Sequence, residues 1–309
     1  MAKHPNKNLE DYIEDIDING LRGRMLRLPS PKSRRREILL TYGSHASIER
    51  MYSLAEELNK YGGLSIPDLP GLGGMDSFYK LHQAPSIDAM ADYLASFVKM
   101  RYKNRRFTIV GVSYGFVVAT RMLQKYPDIA SKVDLAVSIA GFVHHDDFRI
   151  HRMRFLLMKY GALFCSIPFI SWFLERCVIH TPIIRYIYKL QTLHYGKSKN
   201  KQQERQRLIN FEVDLWRIND IRTYFYTAYS MFTADLCNKE RVELPVYHTA
   251  IDGDYFFDNS LVEQHLSIIY AQNTTLKVKV TEHMPNVIAS QREIAPFVPS
   301  RLRRILATY

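Results

Sequence analysis

Large apolar residues along this chain fall first at every second position, then in short unbroken runs, then at helical spacing. Residues 1–20 precede that pattern; they are mostly charged or amide-bearing and read as a polar N-terminal arm. Leu21 to Leu28 alternates apolar with basic side chains, the period of a half-exposed strand, and opens a hairpin. A basic link holding Pro29 and Pro31 follows. Glu37 to Thr41 (EILLT) is then a short apolar strand that runs into Tyr42-Gly43-Ser44-His45. Ile48 to Leu58 carries the apolar spacing of an amphipathic helix, stopped by Gly62-Gly63. Leu64 to Pro67 is another short strand, and Asp68-Leu69-Pro70-Gly71-Leu72-Gly73-Gly74 is a loop by composition.

The alternation continues. Ser86 to Met100 reads as a helix with Ser86 as its N-cap, Arg106 to Val110 (RFTIV) as a buried strand, Phe116 to Lys125 as a helix and Val133 to Ala140 as a strand. Strands alternating with helices imply an α/β fold: a mostly parallel central sheet with helices on both faces. The rhythm breaks near residue 142. From Phe142 to Cys237 the text is helix-like, aromatic and basic. A strand returns at Leu244 to Ala250, then a helix at Leu261 to Ala271, a last strand at Leu276 to Val280 and a closing helix at Arg292 to Ala307. The expected organisation is a core of residues 21–141 and 239–309 interrupted by an inserted helical cap over 142–238.

At 309 residues, 47% of them hydrophobic, the chain can bury one large core. Its net charge of +11 suits an anionic surface or an acidic ligand. The basic residues are scattered in small clusters, with no zinc-finger spacing and no RNA-binding sheet signature, so no nucleic acid is expected as a partner. Cys165, Cys177 and Cys237 are odd in number and form no CxxC pair, which argues against a disulfide framework and for a reducing, cytoplasmic compartment. The N-terminus lacks the apolar core of a signal peptide. No apolar run reaches the roughly 18 residues of a membrane span; Tyr160 to Leu174 comes nearest and contains Pro168. The aromatic, Arg- and Lys-edged text of the insertion fits an apolar acyl pocket, peripheral contact with an anionic membrane, or ordinary burial of helix faces on the core.

The chemistry concentrates in Gly111-Val112-Ser113-Tyr114-Gly115, a GxSxG motif between the strand RFTIV and the helical stretch FVVATRMLQKY. A serine hydroxyl is a poor nucleophile until a base takes its proton. A sharp strand-to-helix turn exposes it above the sheet, and the glycines allow the close backbone packing such a turn needs.

On these residues the chain after position 20 resembles the α/β-hydrolase superfamily. Its segment from Ile38 to Gly73 is similar to the family's strand, oxyanion turn, helix, strand and D-x-P-G-x-G loop, with Asp68, Pro70, Gly71 and Gly73 in the loop positions. Tyr42-Gly43 stands where the family has His-Gly. The resemblance implies Ser113 as catalytic nucleophile and an oxyanion hole made by the backbone N–H groups of Ser44 and Tyr114. It further implies an acid and then a base later in the chain. Aligning Pro245 and Val246 with the family's acid loop puts Asp254 at the acid position. Asp252, Asp258 and, after the preceding strand, Asp146 or Asp147 remain alternatives. His283, after the last strand, is the base; Glu282 replaces the family's glycine before it.

The implied reaction is hydrolysis of a small-molecule carboxylic ester with an apolar acyl or alkyl part, through an acyl-enzyme and without a cofactor. The alternatives are a non-catalytic hydrolase-like protein that binds a ligand or partner, and a lipase-like hydrolase working at a membrane surface. No metal site is expected, because His144-His145 has no carboxylate or cysteine at ligand spacing.

Overall fold

The computed structural model describes residues 9–31, 36–191, 199–279 and 294–308. One eight-stranded sheet organises them, in the order β1-β2-β4-β3-β5-β6-β7-β8. The strands are β1 (Ile13–Ile18), β2 (Leu21–Leu28), β3 (Glu37–Thr41), β4 (Gly63–Pro67), β5 (Phe107–Val112), β6 (Val133–Ile139), β7 (Val242–Ile251) and β8 (Tyr270–Val278). β1 and β2 pair antiparallel, as do β2 and β4; all other neighbours are parallel. β3, β4 and β5 are buried at every position, as strands covered on both faces are. The helices are α1 (Ile48–Asn59), α2 (Ile87–Arg101), α3 (Tyr114–Lys125), α4 (Pro127–Ala130), α5 (Arg152–Cys165), α6 (Pro168–Phe173), α7 (Thr181–Gln191), α8 (Lys199–Ile218), α9 (Ile221–Met231), α10 (Asn259–Ile269) and α11 (Ser300–Thr308). A π-helical turn, Leu174–Val178, continues α6. Helices α5 to α9 all lie in sequence between β6 and β7.

Three sequence expectations need correction. Part of the expected polar arm is strand β1: in IEDIDI, Ile16 and Ile18 are buried while Glu14, Asp15 and Asp17 are exposed. Asn19 (φ 54°) and Gly20 (φ 83°) turn it into β2, the left-handed pair that a two-residue hairpin demands. The hairpin is therefore β1–β2, and β3 lies parallel to β4 further into the sheet. The expected helix at 261–271 ends at Ile269, and β8 starts at Tyr270, whose buried hydroxyl lies 2.8 Å from that of Thr120 on α3. At the C-terminus, a 3-10 turn (Ala295–Phe297) precedes α11 instead of one continuous helix. Pro296 and Pro299 lack the N–H groups a continuous helix needs.

The topology marks a reversal in strand order. From β3 the chain moves to β4 on one side; from β4 it crosses back to β5 on the other. The point beyond the carboxyl ends of β3 and β5 is thus a topological switch point, the usual place for a site in an open α/β sheet. Ser44 follows β3 and Ser113 follows β5.

Candidate active site

Ser113 occupies the turn between β5 and α3 with φ 50° and ψ −123°, a conformation costly for any residue with a side chain. Its neighbours enforce it. A Cβ on Gly111 would stand 2.4 Å from the Cα of Phe116, and one on Gly115 would stand 2.6 Å from the carbonyl oxygen of Tyr42. The first turn of α3 therefore lies directly on the ends of both β3 and β5. Thr41 Oγ1 donates to the Gly115 carbonyl at 3.0 Å, and the Ser113 N–H donates to Ile139 O at 3.1 Å, which ties the turn to β3 and β6. Ser113 is part-exposed and Tyr114 is fully buried. His45 (φ 53°) and Ala140 (φ 47°), just beyond the carboxyl ends of β3 and β6, are also left-handed without being glycine. Such strain collects where the surrounding structure imposes a geometry.

The turn bearing Ser44 is held from two sides. On the core side, the fully buried Tyr42 donates its hydroxyl to Asp68 Oδ1 at 2.5 Å and accepts the Leu69 N–H at 3.1 Å. Asp68 also receives Arg24 Nε at 2.8 Å, and Arg24 in turn pairs with Glu49 at 2.6 Å. Burial pushes the Asp68 carboxyl up to about 7, against the opposing pull of Arg24 and Tyr42. On the side of the helices between β6 and β7, Ser44 Oγ lies 3.1 Å from Thr227 Oγ1 of α9. His45 Nε2 lies 3.6 Å from Glu212 of α8, and its ring centroid 4.3 Å from that of Trp216. Glu212 also pairs with Arg50 and accepts the Tyr188 hydroxyl at 3.0 Å. Burial lowers the His45 pKa more strongly than Glu212 raises it.

The acid candidates differ in surroundings. Asp254, beyond β7, is 4% exposed; its Oδ1 accepts the Phe256 N–H at 2.8 Å. Asp252 is exposed. Asp258 caps α10, accepting the N–H groups of Ser260 and Leu261. Asp147 is fully buried, accepts the N–H groups of Val143 and His144 at 2.9 Å, and bonds His265 Nδ1 at 2.6 Å, so its oxygens are occupied in joining β6's exit to α10. Asp146 is exposed. His283 lies outside the described residues.

The reading that His144-His145 has no carboxylate at ligand spacing is corrected: His144, His145 and Asp146 offer ligand atoms all within 4.8 Å of one another. Two of the ring nitrogens there already hold the backbone together, His144 Nδ1 accepting the Asp146 N–H at 3.1 Å and His145 Nδ1 facing Ala234 O at 3.0 Å.

Sequence reasoning missed Tyr42, Thr227 and Glu212 as supports of the Ser44 turn. The one local signal was the tyrosine in place of the family's histidine. Thr227 and Glu212 sit on helices far along the chain, and nothing near them in sequence marks their partners.

No family model matches the sequence, and no curated protein sequence aligns with it significantly. Solved structures do match. A thermophilic esterase from Thermogutta terrifontis superposes with a TM-score of 0.64 at 14% identity, covering 96% of this chain and 98% of that one. The enol-lactonase of Burkholderia xenovorans LB400 gives 0.63 at 11% identity, over 96% and 100%. A bacterial membrane phospholipase A gives 0.65 at 13% identity, over 96% and 85%. A putative α/β hydrolase from Nostoc sp. PCC 7120 gives 0.62 at 15% identity, over 96% and 95%, and with the strand order these likenesses show that this chain has the α/β-hydrolase fold.

Proposed function

We propose that this chain is a serine hydrolase that cleaves carboxylic esters with an apolar acyl or alkyl part. The observation that carries the reading is Ser113 held at φ 50°, ψ −123° on the β5–α3 turn, at the switch point of the sheet. Strain of this kind collects at active sites and ligand clamps, and a nucleophile raised above the sheet on a strand-to-helix turn is the use that fits a serine at this position.

In this reading Ser113 Oγ attacks the ester carbonyl carbon while His283 takes its proton. The N–H groups of Ser44 and Tyr114 hold the oxyanion that forms. Asp254 orients the imidazole and stabilises its cation. The imidazolium gives its proton to the departing alkoxide, leaving the acyl group on Ser113. A water, deprotonated by His283, then attacks the acyl carbon; the acid leaves and Ser113 regains its proton. The burial of Asp254 supports it over Asp252, and the capping bonds of Asp258 give that residue another task. β7 lies two strands from β5, roughly 10 Å away, a gap suited to an imidazole between the two side chains.

The test is labelling with a fluorophosphonate probe together with a panel of p-nitrophenyl esters of increasing chain length. The expected result is covalent labelling at Ser113, cleavage of short and medium esters, and loss of both in Ser113→Ala. Asp254→Asn should lower kcat by about 10⁴-fold. No labelling and no cleavage across the panel would return the chain to the ligand-binding reading.

A further inference from the structure

Helix α5 is amphipathic the wrong way round for a protein in water. Its inner side packs on α9 and the residue that ends it, with Phe155 against Phe232 at 5.2 Å between centroids and Ala162 buried. Its outer side carries Met153, Leu157, Tyr160 and Phe164, an i, i+4, i+7, i+11 stripe; Leu157 is 75% exposed and Met153 69%. The next helix repeats the pattern: Phe169 is 68% exposed and Trp172 53%, their rings stacked 6.1 Å apart. On α7, Ile184 faces in while Ile183, Tyr186, Ile187 and Leu190 face out. Single exposed apolar residues are ordinary, but three successive helices with apolar outer faces form an interaction surface.

The charges identify what covers it. Between residues 151 and 191 stand Arg152, Arg154, Lys159, Arg176, Arg185 and Lys189, against the single acid Glu175. A second copy of this +11 chain would bring like charges face to face. An anionic bilayer supplies both an apolar layer for the stripe and phosphates for the cations. Helix length then fixes the posture. No single helix among the described residues is long and apolar enough to cross a membrane. Arg152–Cys165 and Pro168–Val178 together have the length and composition of a span, but they meet at a bend of 85° and so do not form one straight segment. The fourteen residues of α5 span about 21 Å, short of the roughly 30 Å hydrocarbon core. Helices of this kind lie in the headgroup plane.

We infer that the outer faces of α5, α6 and α7 form an interfacial seat on which the protein docks, without crossing, to an anionic lipid bilayer. The seat stands on α9, whose inner side meets Ser44, so docking sets the lipid and the serine turn on opposite sides of one helical layer. The inference needs only the surface and stands whether or not Ser113 is catalytic.

Flotation with vesicles of phosphatidylcholine alone, and with about one-third phosphatidylglycerol, tests it. The full chain should float with the anionic vesicles, and salt should weaken the binding. Fluorescence of Trp172 should shift to the blue and be quenched by brominated lipid, and Trp172→Phe should remove that signal. Leu157→Asp combined with Phe169→Asp should weaken partition on the order of a hundredfold, with an unchanged thermal melt because both positions are exposed. The inference is overturned if the wild type does not float, if it floats as well after the double substitution, or if brominated lipid leaves the fluorescence untouched. It is equally overturned if the stripe closes a dimer, seen as a wild type that elutes as a dimer, a double variant that elutes as a monomer, and neither floating.

Discussion

The hydroxyl of Tyr42 donates to Asp68 Oδ1 at 2.5 Å in the protein interior, two residues before Ser44. This bond joins the start of the proposed oxyanion turn to the D-x-P-G-x-G loop. Burial and the neighbouring Asp68 hold the phenol well above its ordinary pKa, so it stays a donor at any working pH.

Tyr42→Phe removes that donor and leaves Asp68 Oδ1 and the Leu69 N–H without this partner. The expected cost is about 1–3 kcal/mol of stability, the penalty for stranding buried polar groups. Urea denaturation of wild type and variant measures it. A shift within error of zero would mean that water replaces the hydroxyl.

At Ser113 the usual ranking of alanine over glycine should invert. Glycine ordinarily costs roughly 0.5–1 kcal/mol relative to alanine, because the unfolded chain gains freedom. With φ at 50° and ψ at −123°, the folded state instead penalises any Cβ. Ser113→Gly is therefore expected to melt at a temperature equal to or above that of Ser113→Ala. A clearly lower melting temperature for the glycine variant would contradict a strained turn.

His248 should give the fold a pH dependence. It is 1% exposed on β7, its Nδ1 2.8 Å from Ser138 Oγ, and burial lowers its pKa from 6.5 to about 4, against a smaller upward pull from Asp254. Between those two values the unfolded chain holds a proton that the folded chain does not. Stability therefore falls as pH drops from 6.5 to about 4, by about 3 kcal/mol in all, and is unaffected by this residue above that window. His248→Gln, which cannot titrate, should lose that part of the slope in urea melts run across the same range.

Glu212 should hold α7 and α8 to α1 and the sheet. It faces Arg50, His45 and Tyr188 at once. Burial raises its carboxyl pKa, but these partners together outweigh that effect and hold it below the ordinary value. Its contribution is present above the unfolded pKa and is lost as pH falls through the folded one. Glu212→Ala leaves Arg50 without this partner and is expected to cost about 3 kcal/mol. Limited proteolysis should then cut within α7 or α8 faster than in the wild type, while Glu212→Gln, which can still accept from Tyr188, should fall between them.

The parts of this protein written in neighbouring residues were legible without coordinates. The GxSxG turn, the flanking strand and helix, and the α/β alternation depend on local period and on glycine, and local rules decide them. Strand β1 escaped because its two buried isoleucines sit among acids, and only pairing with β2 makes that alternation a strand. The proposed acid was readable as a choice among aspartates, but burial, which separates Asp254 from Asp252, is a property of the packed chain.

The sequence by itself determined the period of α5 and α7, and so that each has an apolar stripe. It could not say which way the stripe points, since a helix fits a core or a membrane with the same spacing. Tertiary structure decided that by giving the inner faces to α9 and α8 and leaving the outer ones bare. It likewise decided that Tyr42 meets Asp68 and His45 meets Glu212, because such partners are chosen by where distant segments come to rest and not by the residues beside them.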